Sequence, residues 1–113
     1  MPAFKYFKTF EHNSIGDGET ASGSWTADED LILKRVHVIR KDGASFTDSE
    51  VYFNIGDRVF ARDKIPAVVL GPDKEVSPVL NIPFRKGEKL EYKFKNNEGS
   101  TISIYICIEV WTP

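Results

Sequence analysis

Apolar and polar residues alternate most clearly in the last part of the chain. Within residues 88–95 the apolar Leu90, Tyr92 and Phe94 alternate with charged residues, and in residues 101–111 isoleucine or valine occupies every second position. A period of two places alternate side chains on opposite faces of a β-strand. Residues 96–100 form a short glycine-bearing loop between the runs. The pattern therefore predicts two long strands that pair as a hairpin and lie against a core.

Shorter apolar runs, separated by turn residues, continue the β pattern through the rest of the chain. They predict further strands at 4–10, 25–27, 31–40, 51–55, 59–61, 65–70 and 76–84. In the run 31–40 the alternation predicts two apolar sides, with Ile32, Val36 and Val38 on one side and Leu31, Leu33 and Ile39 on the other. Prolines at 66, 78 and 83 place two of the runs at sheet edges or bulges. Residues 12–23 are polar and rich in glycine, which predicts a loop.

These segments predict an all-β chain of about eight strands, because no convincing amphipathic helix occurs between them. The spacing favours a single antiparallel β-sandwich of jelly-roll type over residues 1–113, and it allows an N-terminal arm at 1–23. The shared strand faces also predict the core. Its expected members are Val36, Val38, Val51, Phe53, Leu90, Tyr92, Phe94, Ile102, Ile104, Ile106 and Ile108.

Composition narrows the class of protein. The chain has 113 residues, of which 41% are hydrophobic and 28% charged, and its net charge is -2. That balance argues against a dedicated nucleic-acid binder, which usually has a basic face. The lone cysteine, Cys107, excludes an internal disulfide. No segment approaches the roughly 20 apolar residues of a membrane span, and residues 1–10 lack the apolar run of a signal peptide. We expect synthesis and folding in the cytosol.

The sequence offers no constellation of residues for catalysis or for binding a cofactor. His12 and His37 are far apart, and neither has a second ligand at metal-site spacing. The acidic run 28–30 contains oxygen ligands that suit calcium, but it lacks the spacing of a calcium loop and is better explained as a solvated turn. No nucleophile elbow or phosphate-binding loop is present. We therefore predict a protein that is not an enzyme and needs no metal or cofactor.

Two runs resemble segments of small jelly-roll virion proteins. In residues 24–38 an aromatic-Thr-Ala strand end precedes an acidic turn and an apolar strand, and in residues 82–90 an apolar-Pro-apolar segment precedes a Lys-Gly-acid turn. Together the two runs span 24 of the 113 residues. The resemblance implies a capsid, decoration or fibre-type protein located in the virion. It implies no catalytic residues.

The leading hypothesis is a structural protein that associates with itself and with a larger protein assembly. Aromatic residues are concentrated near the start of the chain, and a tryptophan lies near its end. The candidate interface residues are Phe4, Tyr6, Phe7, Phe10 and Trp111. Left in water, the first four would expose an apolar patch of a kind that soluble monomers avoid. We expect no membrane partner and no nucleic-acid partner.

The alternative hypothesis is a carbohydrate- or receptor-binding sandwich. Aromatic rings can stack on sugar rings, and the candidates for that contact are Trp25, Tyr52 and Tyr105, with Trp111 as a further one. Under this alternative the partner is a glycan. In a small sandwich such aromatics are more often core or interface residues.

Overall fold

The structure is a computed structural model that describes residues 3–56, 58–59, 65–66 and 79–113. The strands within those ranges are β1 Ala3–Ile15, β2 Thr20–Thr26, β3 Leu31–Arg40, β4 Glu50–Ile55, β5 Arg58–Val59, β6 Ile65–Pro66, β7 Ile82–Phe84, β8 Lys89–Lys95 and β9 Ile102–Thr112. The described ranges contain no helix, and so no helix there is long and apolar enough to cross a membrane. The prediction of an all-β chain is confirmed.

The strands form two antiparallel sheets that share one core. The first sheet has the order β1-β9-β3-β7, and the second has the order β2-β8-β4-β5, with β6 also paired with β4. Consecutive strands from β1 to β4 alternate between the two sheets. Each sheet turns one apolar face toward the other, so the architecture is sandwich-like.

The predicted core is confirmed residue by residue. All eleven expected core positions are buried, and none of them is more than 5% exposed. They come from the inner faces of β3 and β9 in the first sheet and of β4 and β8 in the second. Burial of these aliphatic and aromatic side chains is the main stabilising term of the fold.

The predicted hairpin between the last two strands is wrong. β8 pairs with β2 and β4 in the second sheet, whereas β9 pairs with β1 and β3 in the first. The connection between them crosses from one sheet to the other, and there the buried Asn96 donates to the carbonyls of Ile15 at 2.9 Å and Ser100 at 2.7 Å. Two strands that face each other across a core have the same alternation as two paired strands, so the pattern alone does not distinguish them.

The predicted sides of β3 are also wrong. A register shift lies between Leu33 and Arg35 in the pairing of β3 with β9. The extra residue at this β-bulge inverts the alternation, so that Leu33 before it and Val36 after it both point into the core. As a result Ile32 lies on the outer face instead of beside Val36.

The predicted loop at 12–23 is mostly strand. β1 continues to Ile15 and β2 begins at Thr20, so that only residues 16–19 connect them. Ser14 interrupts the ladder with a positive φ of 56°, and its backbone N–H donates to Ser103 Oγ at 3.0 Å. Within the span 1–23 of the expected N-terminal arm, residues 3–15 form the edge strand of the first sheet. Both strands are sheet edges, where polar residues are tolerated.

The middle of the chain is described only in part. β5 and β6 pair with β4, and β7 is the edge strand next to β3, as its proline predicts. Of the predicted strands 59–61, 65–70 and 76–84, residues 60–61, 67–70 and 76–78 lie outside the described residues.

Candidate functional site

One end of the outer face of the first sheet is apolar. The strand register places Phe4, Trp111, Ile32 and Pro83 side by side across β1, β9, β3 and β7. We call these four residues the apolar row. Phe7 lies beside it, with its ring centre 5.0 Å from that of Phe4, and these two phenylalanines are 53% and 49% exposed. The row and Phe7 therefore form a continuous apolar surface that crosses the whole sheet.

A bulge in β1 explains why Phe4 and Phe7 lie on the same face. They are three residues apart, and strict alternation would place them on opposite faces. The pairing of β1 with β9 shifts between Phe4 and Tyr6, which leaves Lys5 as the extra residue. Tyr6 and Phe10 consequently point inward and pack against the core, with the ring of Phe10 centred 5.0 Å from that of Tyr92.

Two charged side chains contact Trp111, a member of the apolar row. Glu109 is only 7% exposed and accepts hydrogen bonds from Arg35 Nη1 at 3.1 Å and Trp111 Nε1 at 2.7 Å. The Lys34 ammonium lies 4.5 Å from the centre of a Trp111 ring. Trp111 is thus held by a carboxylate at its indole nitrogen and by a cation over its face. Arg35 Nε is buried and has no hydrogen-bond partner within the described part of the chain.

The three sugar-stacking candidates lie in three different environments. Trp25 points inward, packs against Phe84 with ring centres 5.1 Å apart, and is partly buried against the core. Tyr105 is on the outer face of the first sheet, where the Lys41 ammonium lies 4.7 Å from its ring centre. Tyr52 is on the outer face of the second sheet and is 41% exposed. Of the three, Tyr52 offers the most open ring face.

The outer face of the second sheet is polar and concave. Along the central strand β8, lysine and glutamate alternate with core residues and point to solvent. β2 presents serine and threonine on one side of them, and β4 presents Tyr52 and Asn54 on the other. The short side chains of β2 leave a groove of about 680 Å³ above the sheet. We call it the polar groove.

The side of the sandwich between β1 and β2 is closed by a tyrosine. Tyr92 is 2% exposed, and a hydrogen bond of 2.7 Å joins its hydroxyl to His12 Nε2. Its ring lies over Gly23, where a Cβ would come within 2.3 Å of the Tyr92 oxygen, so no side chain fits there. Burial lowers the pKa of His12 and raises the pKa of Tyr92 to about 12. This pair ties β1 to β8 across the sandwich.

The acidic turn at 28–30 makes contacts within the protein. Asp30 accepts a hydrogen bond from the backbone N–H of Lys86 at 3.0 Å, and Glu29 forms an ion pair with Lys5. Over the described ranges, no three histidine, cysteine or acidic side chains come together in a way that would hold a metal ion. His12 and His37 lie on β1 and β3, on opposite faces of the first sheet.

Glu98 is a buried carboxylate that the sequence does not mark. Its side chain is 2% exposed and pairs with Arg40 at 3.2 Å. It also accepts hydrogen bonds from the backbone N–H groups of Thr47, Asp48 and Ser49. Burial would raise the pKa of Glu98, but the hydrogen bonds from Ser49, Thr47 and Asp48 outweigh it and lower that pKa to about 2. Glu98 anchors the segment before β4 to the connection between β8 and β9.

Comparison with known proteins adds no family. No protein-family model matches the chain, and no curated protein has a similar sequence.

Proposed function

We propose that this chain is a non-enzymatic structural protein that assembles with copies of itself, as a virion coat or decoration protein does. The observation that carries the proposal is the outward-facing apolar row together with Phe7, in which Phe4 and Phe7 are each about half exposed. Soluble monomers rarely leave a contiguous apolar surface of this kind in water, and such surfaces commonly mark protein interfaces. Aromatic residues are also enriched at the centres of interfaces.

The order of the strands supports a jelly-roll topology within the same proposal. If β5 and β6 are counted as one strand, the described residues form eight strands in two sheets. Consecutive strands alternate between the sheets except at β4, which pairs with β5 and β6 in its own sheet, and the last strand returns to lie between the first and the third. Eight strands in two sheets are typical of jelly rolls, which occur in viral capsid proteins and in lectins.

A second copy of this chain is the partner that the surface suits best. In a two-fold contact the same patch serves both subunits, so each patch must complement itself. The apolar centre meets that condition, because Phe4 and Phe7 are exposed rings that pack against identical rings. The rim carries both signs of charge, with Lys34 over Trp111 and Glu29 paired with Lys5. β1 is also an edge strand, to which a neighbouring chain adds by backbone hydrogen bonds.

The test measures whether the oligomeric state depends on Phe4 and Phe7 or on Tyr52, an exposed aromatic residue of the opposite sheet. Size-exclusion chromatography with light scattering over a wide concentration range should show a species larger than the monomer for the wild type. The double substitution Phe4→Ser and Phe7→Ser should shift it toward the monomer, because the centre of the contact is lost. Tyr52→Ser, which removes an exposed ring from the opposite sheet, is the matched control and should leave the oligomer intact.

The circular dichroism spectrum of every variant should remain that of a β-rich protein. If the double substitution lowers solubility, Phe7→Ser alone provides a milder variant. A wild-type protein that is monomeric at every concentration would contradict the proposal. An oligomer that survives both phenylalanine substitutions would show that another surface holds it.

A further inference from the structure

The polar groove is a positively charged surface on a negatively charged chain. Its lining contains three lysines and one glutamate, all from β8, while the whole chain has a net charge of -2. The three lysines lie on the outward face of this central strand. Lys89, Lys93 and Lys95 are all exposed to solvent. A concave surface with one dominant sign of charge raises the local concentration of ligands of the opposite sign.

The strand register arranges the polar side chains of the groove in rows. In one row Lys93 lies between Ser22 and Tyr52, and in the next Glu91 lies between Ser24 and Asn54. Adjacent rows are two residues apart along the strand, or about 7 Å. The first row combines a cation with an open aromatic ring. The second combines a carboxylate acceptor with hydroxyl and amide groups that both donate and accept.

We propose that the polar groove binds an acidic oligosaccharide, one whose sugars carry carboxylate or sulfate groups. The exposed ring of Tyr52 supplies an apolar surface for one face of a sugar ring. Lys93, in the same row, pairs with the acidic group. Lys95 lies further along the strand, opposite Glu50 in the register, and is a secondary contact. Glu91, Asn54 and Ser24 exchange hydrogen bonds with sugar hydroxyls. All of these side chains lie on β-strands, which fixes their spacing before the ligand binds.

A single-stranded nucleic acid fits the groove less well. Surfaces for single strands combine an uninterrupted cationic track with several aromatic rings on which successive bases stack. In this groove Glu91 interrupts the lysines of β8, where it would repel a phosphate, and Tyr52 is the one exposed ring in the lining. A carboxylate among hydroxyl and amide groups is suited to sugar hydroxyls.

The inference is independent of the proposed self-assembly, because the groove and the apolar row lie on opposite outer faces of the sandwich. The experiment starts with an array that contains sialylated, uronic-acid-containing, sulfated and neutral oligosaccharides. The strongest probe is then titrated by calorimetry, with oligothymidylate as the nucleic-acid arm. We expect binding to acidic glycans, weakened by added salt, since the lysines are solvent-exposed.

Four variants locate the site. Tyr52→Ala and Lys93→Gln should each weaken binding about tenfold or more, equivalent to losing one well-placed contact. Tyr52→Phe keeps the ring and should retain most of the affinity. Lys86→Gln removes an exposed lysine from a turn outside the groove and should change nothing, which controls for net charge.

Three results would overturn the proposal. They are the absence of binding to every acidic glycan, equal or stronger binding to neutral glycans or oligothymidylate, and acidic-glycan binding that Tyr52→Ala leaves unchanged. Because Tyr52 is 41% exposed, its substitution should preserve the fold, and an unchanged circular dichroism spectrum checks this.

Discussion

Glu109 and Glu91 occupy equivalent places in the two sheets and have opposite environments. Each lies on the outer face of a central strand, yet Glu109 is 7% exposed and Glu91 is open to solvent. Glu109 lies between Phe7 and Arg35, whose long side chains cover it, whereas the neighbours of Glu91 include Ser24, which is too short to do so. The environment of an outward side chain is therefore decided by its cross-strand neighbours as much as by its own strand.

The largest expected effect on stability comes from replacing one of these two glutamates, Glu109, with alanine. Glu109→Ala should lower the free energy of unfolding by about 2–4 kcal/mol, because it leaves the largely buried Arg35 guanidinium and the Trp111 N–H without their acceptor. Glu91→Ala should change it by less than about 0.5 kcal/mol, as exposed substitutions do. Urea unfolding of both variants measures the difference, and equal losses would show that the two faces are energetically alike.

A third carboxylate, Glu98, sharpens the comparison through pH. Its pKa in the folded protein is about 2, below the ordinary value of 4.5. The stabilisation that depends on its charge is therefore fully present above about pH 4.5 and is lost as the pH falls toward 2.

Glu98→Gln should remove this acid-sensitive component and cost roughly 1–3 kcal/mol at neutral pH, since an amide cannot accept all the hydrogen bonds of the carboxylate. Glu91→Gln is the matched control and should keep the acid-sensitive component. Unfolding curves from neutral to acidic pH give the answer, and a Glu98→Gln curve parallel to that of the wild type would contradict the role assigned to Glu98.

The smallest expected effect concerns a lysine on each face. Lys34→Gln removes the cation that lies 4.5 Å from the Trp111 ring centre and should lower stability by about 0.5–1 kcal/mol. Lys93→Gln, in the polar groove, should leave stability within about 0.5 kcal/mol of the wild type. Differential scanning calorimetry under one buffer condition measures both, and indistinguishable midpoints would mean that the lysine over Trp111 contributes no more than an ordinary surface residue.

The sequence predicted the core well because alternation reports directly which side of a strand is apolar. It did not predict which strands pair, since β8 and β9 have the same pattern whether they are neighbours or face each other across the core. It also missed the bulges at Lys5 and near Lys34, where one extra residue inverts the alternation without a turn residue to mark it. The apolar row depends on both bulges.

The two outer faces could be predicted only in part. Phe4, Phe7 and Trp111 stand out as aromatics near the ends of the chain, but their alignment with Ile32 requires the register of three strands. The sequence did not predict the polar groove, because β2, which forms one wall of the groove, has the composition of a loop. Glu98 gives no signal, since its hydrogen bonds come from residues about 50 positions earlier in the chain.

The pairing of β1 with β9 has a consequence for biosynthesis. The backbone N–H of Ala3 donates to Thr112 Oγ1, a contact between residues 109 positions apart. While the chain is being made, the strand with Phe4 and Phe7 emerges from the ribosome well before β9, its partner in the sheet. Nascent chains cut short before β9 expose the two phenylalanines without the tryptophan beside them, and exposed aromatics of this kind promote aggregation and chaperone binding. The apolar row can form only after Trp111 has been added, because Trp111 lies between Phe4 and Ile32 in the register.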